Sequence, residues 1–124
     1  AVAWARGLAA RMPAALLSNM PREVRDPLMP VILAAVPFAL TLFSCDVGAI
    51  KPERAIYARC AALLAVAPNE ALAVDDRPEN VEGARRAGMR AILFTSLERA
   101  AEEVSAALEA GPDAAAGRQR SARA

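Results

Sequence analysis

Residues 71–94 read ALAVDDRPENVEGARRAGMRAILF. An apolar run, Ala71–Val74, stops at two adjacent aspartates, Asp75 and Asp76. Pro78 stands where a helix can begin, because the N–H it lacks is one that a first helical turn leaves unpaired. The helical pattern runs from Pro78 to Ala87, and Gly88 suits the left-handed position just beyond it. RAILF at 90–94 then returns as a second strand. Strand, helix and strand joined by short connections make a crossover unit. Such a unit places its two strands parallel with the helix across one face.

The same alternation continues outward. Towards the N-terminus, PERAIYARCAALLAV predicts a helix from Pro52 to about Val66, and ALTLFS at 39–44 predicts a strand. Residues 23–36 read as a helix with proline interruptions, and ALLS at 15–18 as a short strand. Residues 2–12 read as a helix stopped by Pro13. Towards the C-terminus, 97–110 forms an amphipathic helix. The segment 111–124 has almost nothing to bury and is expected to be disordered. The chain is therefore read as α/β, a three-layer sandwich on a mostly parallel four-stranded sheet. It divides into a helix at 1–13 leading into the core, a core domain at 14–110 and a tail at 111–124.

A length of 124 residues supports one compact domain, and a hydrophobic fraction of 56% supplies its core. The formal net charge of +1 gives no reason to expect nucleic acid as a partner. There is no histidine, which removes serine–histidine and cysteine–histidine catalysis and every histidine-based metal site. Cys45 and Cys60 do not form a C-x-x-C pair. They read as small apolar residues in a reducing, cytoplasmic setting. The uncharged stretch from Pro27 to Cys45 raises the question of a membrane span. Pro27, Pro30 and Pro37 argue against it, and no membrane partner is expected.

Ligands of open parallel sheets bind beyond the carboxyl ends of the strands. The polar residues that end the predicted strands are Ser18 and Asn19, Ser44 and Asp46, and Asp75 and Asp76. Ser18 or Asn19 can hold an anionic oxygen, or simply cap the helix that begins near Pro21. Lys51 is the single lysine among 15 basic residues. It sits at a helix N-terminus, where a cation opposes the helix dipole at a cost of up to about 1 kcal/mol. That position is reasonable if an anion lies opposite. Asp75 and Asp76 repel each other and are best tolerated around a hard cation such as Mg²⁺. Asp76 can alternatively cap the following helix in a box with Glu79, which leaves Asp75 unexplained. Asn80 can support either carboxylate. The glycines in GARRAG at 83–88 are not followed by Lys-Ser or Lys-Thr, so no phosphate loop is read there.

LLSNM at 16–20, SCDVGAIKPERAIY at 44–57 and VDDRPENVEGARRAGMRAILF at 74–94, in that order, resemble the haloacid dehalogenase superfamily of hydrolases. The likeness covers about residues 14–95 and implies a Rossmann-like core. It also implies roles. Ser18 holds the transferring phosphoryl group and Asn19 assists. Lys51 neutralises charge on nucleophile and phosphate. Asp75 binds Mg²⁺, with Asp76 close by. The implied activity is a Mg²⁺-dependent phosphatase working through an aspartyl intermediate. Alternatives are a 2-haloacid dehalogenase and a non-catalytic binding module. The family's first motif, a strand ending D-x-D that supplies the nucleophile, has no counterpart here, and residues 1–13 contain no Asp or Glu. The chain is therefore read as a fragment lacking its central strand and cap domain, inactive alone and binding Mg²⁺ weakly at best. Its expected substrate is a small phosphorylated or halogenated molecule. In the resembled fold the absent strand lies between 15–18 and 71–75, and these two are expected to pair directly in a compact chain. A strand donated by another chain, or self-association, is the other outcome. A two-component receiver domain uses similar residues, but its acidic pair comes first and its Lys-Pro last, the reverse of the order here.

Overall fold

The computed structural model describes residues 2–123, with side chains described as far as residue 112. In chain order the elements are α1 (Val2–Arg11), β1 (Ala15–Ser18), α2 (Arg22–Ala35), β2 (Leu40–Phe43), α3 (Ser44–Val47), α4 (Arg54–Leu63), β3 (Leu72–Asp75), α5 (Pro78–Arg86), β4 (Arg90–Leu93) and α6 (Leu97–Arg123). A turn of 3₁₀ helix, Pro68–Glu70, leads into β3. The expected strands and major helices are present within two residues of their predicted starts. The short α3 is an addition to them, and α4 begins at Arg54 rather than at Pro52. Helix α6 is broken at Gly111, whose φ of 73° and ψ of 170° are not helical. The expectation of a disordered tail at 111–124 lies largely outside the described side chains.

Both strand pairings are parallel. β1 pairs with β2, Ala15 opposite Leu40 through Ser18 opposite Phe43, and β3 pairs with β4, Leu72 opposite Arg90 through Asp75 opposite Leu93. The strand–helix–strand reading of 71–94 holds, and Gly88 takes the left-handed φ of 93° after α5. The expected four-stranded sheet does not form. The strands make two two-stranded sheets, and 15–18 does not pair with 71–75.

The two sheets nevertheless share one core. Leu42, Ile56, Tyr57, Cys60, Ala61, Ala84, Ala87 and Met89 form its buried cluster. Ala15, Leu17 and Leu40 pack on it from the first sheet, and Ala73 and Ala91 from the second. The layer beside them is tightly packed at one point, where α5 meets Pro52. A Cβ on Gly83 of α5 would meet Pro52 Cβ and the Pro52 carbonyl oxygen, each at 2.6 Å. Pro52 follows Lys51, which is tied to the end of β1, while α5 is packed on β3 and β4. β1 and β3 each keep an unpaired edge.

No helix among the described residues is long and apolar enough to cross a membrane. The uncharged stretch at 27–45 instead divides between α2, which contains Pro27 and Pro30, and β2. Both cysteines are free, Cys60 buried and Cys45 half-buried.

Candidate functional site

Three segments bring polar groups to the carboxyl ends of both sheets. β1 ends at Ser18 and passes directly into Asn19. The loop between α3 and α4 carries Lys51. β3 ends at Asp75, with the first turn of α5 behind it.

Asp75 is the hub. Lys51 Nζ donates to its Oδ2 at 2.8 Å, and the two side chains are only 16% and 13% exposed. Asn80 Nδ2 donates to the same oxygen at 3.2 Å, and the Arg77 backbone N–H donates to Oδ1 at 3.0 Å. Burial pushes the Asp75 carboxyl up. The hydrogen bonds from Lys51, Arg77 and Asn80, with the lysine charge, outweigh it and hold the carboxyl below its usual range. Asp75 is thus an anion at neutral pH, and it is the anion whose presence makes the position of Lys51 reasonable.

The support behind Asp75 is buried. Asn80 is 5% exposed, and its carbonyl accepts a hydrogen bond from the Tyr57 hydroxyl at 2.9 Å. Burial, aided by the charge of Asp75, pushes the Tyr57 hydroxyl up to about 12, so it stays a neutral donor. Tyr57 is absent from the site residues that sequence reasoning finds. Its one signal is that it is the only tyrosine, in a helix that faces the start of α5.

Asn19 meets the site through Lys51. Its Oδ1 accepts from the Lys51 backbone N–H at 2.7 Å, and its Nδ2 donates to the Lys51 carbonyl at 3.0 Å. Neither Asn19 nor Ser18 caps α2, whose N-cap is Pro21 with no side-chain cap bond. Ser44 and Asp46 act as braces. The Met20 N–H donates to Ser44 Oγ at 2.9 Å, and Asp46 Oδ1 accepts from Arg25 Nη1 at 2.7 Å. Arg25 also lies over the Phe43 ring, 5.4 Å from its centroid.

Ser18 is half-buried at the end of β1, and Asp76 is exposed. Among the described residues neither side chain takes part in a hydrogen bond or ion pair. The capping box expected between Asp76 and Glu79 is absent. Pro78 at the first helical position makes Arg77 the N-cap, Asp75 reaches the Arg77 N–H, and Glu79 Oε1 accepts from Arg77 Nε at 2.8 Å.

The donors at this end suit a hard cation only in part. Asp75 and Asp76 offer carboxylate oxygens of the kind Mg²⁺ takes. Octahedral coordination needs about six oxygens, and both oxygens of Asp75 already accept hydrogen bonds. Among the described residues no group of three or more His, Cys, Asp or Glu is placed to hold a metal. A cation here needs further ligands from outside these residues or from water.

A family model described as haloacid dehalogenase-like hydrolase matches residues 1–88. A phosphoserine phosphatase of Thermus thermophilus is 42% identical over 89 residues, which are 70% of this chain and 34% of that protein. The chain thus spans about a third of the length of that relative. Among solved structures, an uncharacterised protein of Corynebacterium glutamicum matches with a TM-score of 0.71 and 26% identity, over 82% of this chain and 78% of that one. The fold also matches an enzyme of Bacteroides thetaiotaomicron, solved with magnesium and inorganic phosphate. There the TM-score is 0.63 and the identity 19%, over 77% of this chain and 52% of that one.

Proposed function

The chain belongs to the haloacid dehalogenase-like hydrolases, and on that premise we propose that it forms the phosphate- and cation-binding part of a phosphatase for small phosphate monoesters. The observation that carries this reading is the Lys51–Asp75 ion pair where the carboxyl ends of both parallel sheets meet. The likeness to a phosphoserine phosphatase makes a phosphoserine-sized monoester the first substrate to try.

Each residue has a task in this reading. Ser18 donates its hydroxyl to a phosphoryl oxygen. Lys51 sets its ammonium between Asp75 and the incoming phosphoryl group and offsets the charge that develops there. Asp75, kept ionised and oriented by Asn80 and the Arg77 N–H, would be the first carboxylate to hold Mg²⁺, with Asp76 beside it. Bound Mg²⁺ supplies Lewis-acid stabilisation of phosphoryl oxygens. The nucleophile is an aspartate on a strand seated beside the unpaired edges of β1 and β3. Its carboxylate oxygen bonds to phosphorus as the ester P–O bond breaks, and water then hydrolyses the acyl phosphate. A small phosphorylated molecule of the cytoplasm is the partner in this reading.

The test is complementation. The chain is assayed with p-nitrophenyl phosphate and Mg²⁺, alone and with a peptide of about eight apolar residues ending Asp-x-Asp, long enough for one ordinary strand. No turnover alone, turnover with the peptide, and loss of that turnover in Asp75→Asn are expected. Turnover by the chain alone that disappears in Asp75→Ala would place the nucleophile within these 124 residues. Chloride release from 2-chloropropionate, with no phosphate release, would move the reading to a haloacid dehalogenase.

A further inference from the structure

The family resemblance gives Asn19 a part at the phosphate. Its side chain, however, is committed elsewhere. An amide offers an oxygen with two lone pairs and a nitrogen with two N–H groups, and one of each is engaged here. Here the oxygen takes the Lys51 N–H and the nitrogen gives to the Lys51 carbonyl, both on one residue 32 positions away. Two bonds to a single residue fix its orientation as well as its place, much as a strand ladder does. Most of the remaining polar bonds of the loop stay within it. The Ile50 N–H bonds to Glu53 Oε1 at 2.7 Å and the Glu53 N–H to the Ile50 carbonyl at 2.7 Å, both within the loop itself. Ile50 is 51% exposed. Beyond the Asn19 pair, the loop is held by Ala49 packed on the core, by Pro52 against Gly83 and by the lysine ammonium on Asp75. The flexible four-carbon stem of Lys51 starts from the peptide that Asn19 grips.

We propose that Asn19 is a positioning residue: its amide fixes the Lys51 peptide, and through it the ammonium at Asp75. This deepens the phosphatase reading, on which it rests only in taking Lys51 as the cation that meets the phosphoryl group. It divides the Ser18–Asn19 pair into a side chain left for a ligand and a side chain spent on the lysine.

The chain suits a direct test, because Lys51 is its only lysine. Acetylation by an N-hydroxysuccinimide ester, followed by peptide mass spectrometry, reports on one side chain. Alkylation of buried Cys60 by iodoacetamide in the same samples reports any general opening of the fold. Without phosphate, Asn19→Ala is expected to raise the Lys51 rate about five- to tenfold, the population change that a lost pair of hydrogen bonds allows, with Cys60 unchanged. Asn19→Asp keeps the acceptor for the Lys51 N–H but sets a second oxygen against the Lys51 carbonyl, and is expected to give a Lys51 rate between those of the native chain and Asn19→Ala. Two results would overturn the proposal. In one, Asn19→Ala leaves the unliganded Lys51 rate unchanged but removes the protection given by inorganic phosphate with Mg²⁺, which makes Asn19 a direct ligand. In the other, both variants expose Cys60 as much as Lys51, which makes the amide a general brace of the fold. The unliganded rates require neither turnover nor phosphate, so failure of the phosphatase reading would leave them unaltered, and an unchanged unliganded Lys51 rate in Asn19→Ala would overturn the proposal with or without phosphate protection.

Discussion

Helices α1 and α2 bury none of their residues, whereas α4 and α5 bury eight between them: Ile56, Tyr57, Cys60, Ala61, Asn80, Val81, Gly83 and Ala84. The contrast does not follow hydrophobicity. α2 contains Val24, Leu28, Val31 and Leu33, and all four are exposed. α5 has a polar sequence, PENVEGARR, yet contributes four buried residues. The difference lies in what each helix can reach. α5 is bounded by two strands that pair with each other, so its small residues are pressed onto that sheet. α4 is pinned to α5 by the Tyr57–Asn80 hydrogen bond and the Pro52–Gly83 contact. α2 is held mainly at its first turns, where Arg25 reaches Asp46 and Phe43. An apolar helix face is buried only when a second surface is brought to it, and an uncovered one is the part of a molecule that associates with others.

The sharpest way to break this contrast is to remove apolar side-chain volume from each of the two regions. Ile56→Ala, at a side chain with 0% exposure, is expected to cost about 3 kcal/mol through lost burial and a residual cavity. Val31→Ala, at 65% exposure, is expected to change stability by less than about 0.5 kcal/mol. Urea denaturation followed by circular dichroism gives both numbers. Equal losses would mean that α2 is covered in solution, and light scattering would then show whether a second copy covers it.

The next contrast compares glycines. Gly83→Ala forces a methyl group against Pro52 and is expected to cost about 2 kcal/mol through overpacking. Gly7→Ala, inside α1 with nothing within 4 Å of its Cβ, is expected to stabilise the helix by about 0.5 kcal/mol. Opposite signs in thermal melts support the difference between the two regions, and a neutral Gly83→Ala contradicts the close Pro52–Gly83 contact.

The smallest effect depends on pH. The Tyr57 hydroxyl is raised from 10.0 to about 12 in the folded chain, so the folded state favours its neutral form. Its contribution is fully present below pH 10 and is lost as pH rises from about 10 to about 12. Tyr57→Phe is expected to cost about 1 kcal/mol at neutral pH for the hydrogen bond to Asn80 and to remove that alkaline decline. Trp4 fluorescence, reporting from α1, is expected to change little over this range until the fold itself opens. An alkaline melting curve that is the same with and without the Tyr57 hydroxyl would show that the hydroxyl is not buried in solution.

Much of the candidate site is legible in the sequence. Lys51 stands out as the only lysine, and Asp75 as a carboxylate at a strand end that capping does not explain; the fold joins them at 2.8 Å. Asn80 is readable as support, because a first-turn amide five residues after a strand-end aspartate turns back towards it. The use of Asn19 is not legible. Its two hydrogen bonds go to the backbone of residue 51, and backbone groups look the same at every position in a sequence. Tyr57 is hidden for a similar reason, since its partner is the carbonyl of Asn80 rather than a side chain.

The sequence by itself determined the elements and their order. Apolar runs of four residues between helical patterns, with Pro78 and Gly88 as boundaries, are local signals and act on nearest neighbours along the chain. It also determined that the pairings would be parallel, because each pair is joined through a helix. Only the tertiary structure decided how the pairs are arranged. The two pairs are joined by a contact between Pro52 and Gly83, by an amide that spans 32 residues, and by a core that both sheets share. These are steric and hydrogen-bonding terms between segments distant in sequence. They fix the carboxyl ends of two separate sheets around one lysine and one aspartate, and no local pattern encodes that distance.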